Sequence, residues 1–285
     1  MGPRRPRRQA GERRQRRSTS PPQRDADAGV EAALAEIQRV LDTPLAELME
    51  SEEDRAHTEQ LTRAALAVPA MVRFEKVVAF VDDGRPATQA GNLKAADAVA
   101  LARLLRAGAD VPDTVRSMDD LPDVAHVVRW AIAAELLTAR ATKIVAGPRA
   151  RDLEHDPLSA WLTAAITLLE HGLLDGFQRG WRKVYVELLD AGAGPILAAI
   201  LEAGGQARLS AIEELAWENV AREYGYELDD AAERRYVNRL VTAMMTQFVD
   251  LGAVTCHDGE VVLTGLGGAL ASAAAVMSGD DEDLD

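Results

Sequence analysis

One cysteine, Cys256, stands in a chain of 285 residues. That count excludes an internal disulfide framework and fits a reducing cytoplasm, the expected location. Aromatic residues make up only 4% of the chain. Ala and Leu dominate the apolar share, which argues against a β-sandwich and for helices packed on small and medium aliphatic side chains. No apolar run approaches the roughly 20 residues that span a bilayer, so no membrane partner is expected. The N-terminus carries positive charge with no apolar stretch behind it, and does not read as a secretory signal. Catalytic signatures are missing too. There is no Gly-x-x-x-x-Gly-Lys phosphate loop, no Gly-x-Ser-x-Gly elbow, no His-Glu-x-x-His and no paired-cysteine zinc pattern. A non-enzymatic protein with no cofactor and no metal is the expectation. A hydrolase or nuclease with unrecognised carboxylates is kept as a third reading, which metal-dependent turnover would revive.

Negative charge is what the chain has in excess. The formal net charge is −14. Residues 1–24 hold nine arginines against the single Glu12, a local charge of +8, and taking that from −14 leaves −22 on the remainder. An acidic body repels phosphate backbones, so contact with nucleic acid must come from a local basic patch or from the arm.

Periodicity divides the rest. Residues 1–27 are an Arg-rich arm with almost nothing to bury, expected to be disordered. Residues 28–69 form a helical N-terminal segment: Val30, Leu34, Ile37 and Leu41 share a face, Pro44 restarts the pattern at Leu45 and Leu48, and a further helix covers about Thr58 to Ala67. Glu50, Glu52, Glu53 and Asp54 read as a solvated acidic break. Residues 70–147 have the order helix, short strand, helix, helix, strand. The helices are about Met71–Val81, Lys94–Arg106 (with Leu101, Leu104 and Leu105 inward) and Asp119–Leu137, and the last strand is Thr138–Val145. Residues 148–194 are a helical connector with helices over Pro157–Leu174 and Arg179–Leu189. His155 and His171 in it match no metal-ligand spacing and are read as structural. Residues 195–277 repeat the helix, helix, helix, hairpin order, and residues 278–285 are an acidic tail. Two separate apolar nuclei are expected. The fold class is mainly α, with two winged-helix-like units, each a helix-turn-helix plus β-hairpin, joined by helices.

The run Val81-Asp82-Asp83-Gly84-Arg85-Pro86-Ala87-Thr88-Gln89-Ala90-Gly91-Asn92-Leu93-Lys94-Ala95-Ala96-Asp97 resembles a segment found in a group of uncharacterised actinobacterial proteins. In that group Gly-Arg-x-x-Thr-x-x-Gly-Asn-Leu precedes a helix beginning near an Asp. Val128-Arg129-Trp130-Ala131 is similar as well, and the resemblance covers about residues 71–170. Pro86-Ala87 stand where Lys-Leu is more usual. The resemblance implies a tandem winged-helix-like chain and no particular activity. Gly84, Gly91 and Asn92 are read as turn geometry rather than ligand binding.

The second unit carries the functional expectation. Ser210-Ala211-Ile212-Glu213 reads as a capping box that starts its second helix. The third helix, from about Asp230 to Leu251, buries Val237, Leu240, Val241, Met244 and Phe248. Its other face presents Arg234, Arg235, Asn238, Arg239 and Thr242. Arg pairs with guanine edges and Asn with adenine, and this is the helix that enters the major groove in a helix-turn-helix. Asp229, Asp230 and Glu233 beside them would repel phosphate. Asp258-Gly259 between alternating apolar residues is a type I′ hairpin signal. Cys256 and His257, as strand neighbours, point to opposite faces and cannot act together.

Two readings follow, with a fold-level analogy behind both. One is DNA-associated regulation through the second unit, with the Arg-rich arm adding affinity and a homodimer as the expected form. The alternative is an acidic protein–protein interaction adaptor that does not touch DNA directly.

Overall fold

A computed structural model describes residues 52–106, 111–112, 114–172, 174, 183–225 and 230–279. The Arg-rich arm, the helices expected between residues 28 and 51, Trp181 and Asp229, and the acidic tail beyond residue 279 lie outside the described residues. The described chain is mainly helical.

Helix α1 (Glu52–Ala67) begins on the residues expected to form an acidic break. Carboxylates in a first turn face the positive end of the helix dipole, so the break is a helix start. Helix α2 (Pro69–Val81) has proline at its first position and buries Ala70, Met71, Phe74, Val77 and Val81. A turn leads into strand β1 (Arg85–Pro86). Helix α3 (Ala95–Leu105) buries Ala98, Leu101 and Ala102. Leu104 is 44% exposed, against expectation. It lies about a third of a turn from the middle of the arc those residues define.

Residues 118–120 form a separate 3-10 turn closed by a capping box between Ser117 and Asp120. Helix α4 (Pro122–Ala133) therefore starts later than the expected Asp119. The stretch expected to be one strand is a hairpin, β2 (Leu137–Arg140) and β3 (Lys143–Ala146), with Leu137 opposite Ala146. Its turn, Ala141-Thr142, has none of the residues that advertise a reversal. The sheet is antiparallel in the order β1-β3-β2.

Helices α5 (Asp152–His155), α6 (Pro157–His171) and α7 (Lys183–Ala191) connect this segment to the next. The second segment comprises α8 (Ala193–Glu202), β4 (Gln206–Arg208), α9 (Leu209–Tyr224), α10 (Ala231–Asp250), β5 (Val254–His257) and β6 (Glu260–Leu263). Its sheet is antiparallel in the order β4-β6-β5, the arrangement of the first. Asp258 and Gly259 both have positive φ, 52° and 76°, as a type I′ turn needs. Helix α11 (Gly265–Gly279) closes the chain, with the Thr264 hydroxyl accepting from the Gly267 amide at 3.0 Å.

The order helix, strand, helix, helix, ribbon thus occurs twice, but not around two nuclei. The described residues fall in one compact unit, and their buried side chains make one contiguous cluster. Helix α6 is the bridge. The Trp130 indole N–H, from α4, donates to the Ala164 carbonyl on α6 at 2.7 Å. Trp161, on α6, donates to the Leu251 carbonyl at the end of α10 at 2.8 Å. Arg73 on α2 also pairs with Asp250 on α10 at 2.7 Å. Two separate nuclei would require a polar gap between the segments, and large buried residues fill that space instead. No single described helix is long and apolar enough to cross a membrane.

Candidate nucleic-acid interface

Helices α9 and α10 position the five residues expected to read DNA. The cap read at Ser210 is not there. Helix α9 starts at Leu209, so Ser210 lies inside the first turn, and Arg208 precedes the helix without a side-chain cap. The reason is that β4 runs straight into the helix: the Leu209 amide donates to the Gly259 carbonyl of the hairpin turn at 2.8 Å. Glu213, released from any capping role, accepts from the Asn238 side-chain amide at 3.3 Å. Its neighbour Glu214 makes an ion pair with Arg234. Both acceptors come from the helix packed against α10.

The five residues therefore divide. Arg234 and Asn238 face α9 and are engaged by its carboxylates. Arg235, Arg239 and Thr242 are exposed, with Thr246 continuing their stripe at helical spacing. The Arg239 guanidinium lies 5.5 Å from the centre of the Tyr236 ring. Thr242 donates to the Asn238 carbonyl at 3.0 Å, and Thr246 to the Thr242 carbonyl at 2.9 Å, so both hydroxyl protons are used within the helix. Asp230 has a structural task. Its carboxylate accepts from the amides of Ala232 and Glu233, both at 3.2 Å, and caps α10.

The surroundings are acidic. The hairpin turn presents Asp258, paired with His257 at 3.1 Å, and the exposed Glu260. Cys256 is exposed at the residue level, yet desolvation of its sulfur pushes the thiol above its ordinary value. A raised value lowers the share of thiolate, the reactive form.

The matching helix of the first segment is covered. Helix α4 lies against α6. His126, Arg129 and Trp130 of α4 and Thr167, Leu168 and His171 of α6 line a cavity of about 250 Å³ between them. Arg129 pairs with Asp119, and Asp123 accepts from Arg106 at 2.7 Å. Burial pushes the Asp123 carboxyl up, but the Arg106 guanidinium outweighs it and holds the group below its usual range. Among the described residues no group of three or more His, Cys, Asp or Glu is placed to hold a metal ion.

The run from Val81 to Asp97 holds β1 and the loop that follows it. Arg85 donates to the Phe80 carbonyl at 2.8 Å and its guanidinium lies 4.5 Å from the Phe80 ring. The Asn92 amide donates to the Thr88 hydroxyl at 3.2 Å, and Gly91 takes a φ of 76°. Leu93 is buried. The loop joins β1 to α3, and each of these residues has a role in its geometry.

What sequence reasoning missed is the capture of Arg234 and Asn238. The signal was the pair Glu213-Glu214, of which the capping-box reading had assigned Glu213 elsewhere. The chain matches no protein-family model, no curated protein and no solved structure.

Proposed function

We propose that residues 69–146 and 193–263 are two winged-helix units and that the chain works as an acidic interaction scaffold, binding other proteins through its folded body. One observation carries this reading: both third helices are already occupied. Helix α4 is packed on α6, and α10 spends Arg234 and Asn238 on Glu214 and Glu213. A helix that enters the major groove needs its polar face free and its flanks compatible with phosphate. The −22 charge beyond the arm supports the same reading. The resemblance to the actinobacterial group is compatible with it.

DNA-associated regulation is the second reading, and the exposed stripe of Arg235, Arg239 and Thr242 favours it, with the Arg-rich arm as an auxiliary contact. Fluorescence anisotropy with labelled duplex DNA separates the two. The scaffold reading expects any affinity to vanish when residues 1–24 are removed, and to be unchanged by Arg235→Ala with Arg239→Ala. Affinity that survives removal of the arm, falls by about a factor of ten or more between roughly 50 and 200 mM salt, and drops in the double variant would establish the DNA reading instead.

A further inference from the structure

Helix α9 sets two consecutive carboxylates, Glu213 and Glu214, against the polar face of α10. Glu214 pairs with Arg234, and Glu213 accepts from the Asn238 side-chain amide at 3.3 Å. All four residues are partly buried.

The second contact is held at a cost. Only the NH2 of Asn238 can donate to a carboxylate, and the carbonyl oxygen beside it is buried with no partner among the described residues. A buried acceptor without a donor is destabilising. Apolar side chains at positions 213 and 238 would avoid that loss, so stability alone does not account for the pair.

Its chemical effect is to subtract. Adenine recognition takes the donor and the acceptor of an asparagine together. Asn238 has its donor on Glu213 and its acceptor buried. Guanine or phosphate recognition takes the guanidinium fork of an arginine, and Glu214 holds that of Arg234. Glu213 meets a neutral amide rather than a cation, so its charge is not offset by that contact. Arg235, Arg239 and Thr242 stay exposed on the same helix. The cationic stripe is therefore incomplete, and the missing members are the two that α9 holds. We infer that Glu213 and Glu214 are specificity-determining residues, which close α10 to nucleic acid by occupying Arg234 and Asn238. This rests on the scaffold reading above and assigns the residues that keep a polyanion out.

The test uses the full chain, with labelled duplex DNA and fluorescence anisotropy at a series of salt concentrations. Glu213→Gln with Glu214→Gln leaves an acceptor oxygen for Arg234 and for Asn238 while removing both charges. It should tighten duplex binding by about tenfold near roughly 50 mM salt. It should also steepen the slope of log affinity against log salt by about one, the mark of one more phosphate neutralised. Adding Arg234→Ala should cancel both changes. Glu202→Gln with Glu223→Gln, an equal change of charge at two exposed positions, should produce neither. The arm is the same in every variant and drops out of the comparison. No gain from the first pair, a gain that survives Arg234→Ala, or an equal gain from the second pair overturns the assignment, because the glutamates would then act only as packing or as bulk charge. If circular dichroism shows the double variant unfolded, Glu214→Gln alone carries the same expectation at about threefold, again cancelled by Arg234→Ala. The two levels fail separately. Duplex bound by the wild-type chain through Arg235 and Arg239 removes the scaffold reading. A glutamate pair whose loss changes nothing removes only the role given to it here.

Discussion

The two segments of like element order share a backbone plan and differ in what leans on it. Glu135 and Gly252 occupy the same place, two residues past the third helix and two before the ribbon, with φ of 58° and 68°. Each amide donates to a carbonyl three residues back, Ile132 at 3.1 Å and Val249 at 2.9 Å. The ribbons have the same register, and Ile144 and Val261 hold matching buried positions. The differences lie outside this plan. In the first segment a loop from Thr88 to Lys94 separates β1 from α3, whereas in the second β4 passes directly into α9. In the first segment a connector helix covers the third helix, and in the second the preceding helix ties down part of its polar face. Local backbone geometry is thus set by each segment's own residues. The surface each segment offers is set by its neighbours.

The largest effect should come from the residue that belongs to neither segment. Trp161 is 1% exposed and its indole is hydrogen-bonded to Leu251. Trp161→Ala should remove about 4 kcal/mol from the stability of the whole body, through lost burial and the cavity left behind. Urea unfolding followed by far-UV circular dichroism should move as one transition. Two transitions, with only one displaced by the substitution, would mean that the segments fold independently and that the shared core has been misjudged.

A smaller effect sharpens the comparison at the matched turn. An added Cβ on Gly252 would lie 2.3 Å from the Val68 side chain, and the φ there is positive. Gly252→Ala should cost about 2–3 kcal/mol, from the clash and from the left-handed backbone. Glu135 has an exposed side chain at the same φ, so Glu135→Gly should change stability by no more than about 1 kcal/mol, with relief of the backbone set against the added freedom of glycine. Equal costs in thermal melts would refute the view that Val68 makes the two positions different.

The same contrast explains which features could be read in advance. Asp258-Gly259 was legible because a type I′ turn needs positive φ at both residues and that pair tolerates it. The buried face Val237, Leu240, Val241, Met244 and Phe248 was legible because helical periodicity is local. Ala141-Thr142 was not, since nothing in those two residues favours a reversal, and the hairpin there is held by pairing with β1. Ser210 and Glu213 were misread because the start of α9 is satisfied by Gly259, a partner distant in sequence. Of the five candidate residues, Arg235, Arg239 and Thr242 are exposed as the periodicity led one to expect, and Arg234 and Asn238 are turned to α9. Which of them stay free depends on how α9 crosses α10, and no spacing within one helix encodes that. The single continuous core depends likewise on Trp130 and Trp161 reaching carbonyls on other elements.

The smallest effect concerns acid. Asp120 and Asp123 both stand at the start of α4. The Asp120 carboxylate accepts from the Arg116 amide at 2.7 Å and the Ser117 amide at 3.1 Å, and these bonds hold it below its ordinary value of 3.8. A carboxyl with a lower pKa in the folded chain than in the unfolded chain contributes stability that is whole above about pH 3.8 and is lost as the pH falls through the depressed value. The unfolded chain takes up the proton first, and the bonds around Ser117 are released as the folded carboxyl follows. Asp120→Asn keeps an oxygen that can accept from the same two amides but removes the titration. Stability near neutral pH should therefore fall slightly, by what the ionised carboxylate adds over a neutral acceptor, while the decline below pH 3.8 should become shallower. Chemical denaturation at a series of acidic pH values measures that slope. An unchanged slope would mean that the carboxylate contacts at the head of α4 are not the groups that acid undoes, and that the first segment is no more acid-sensitive there than the second.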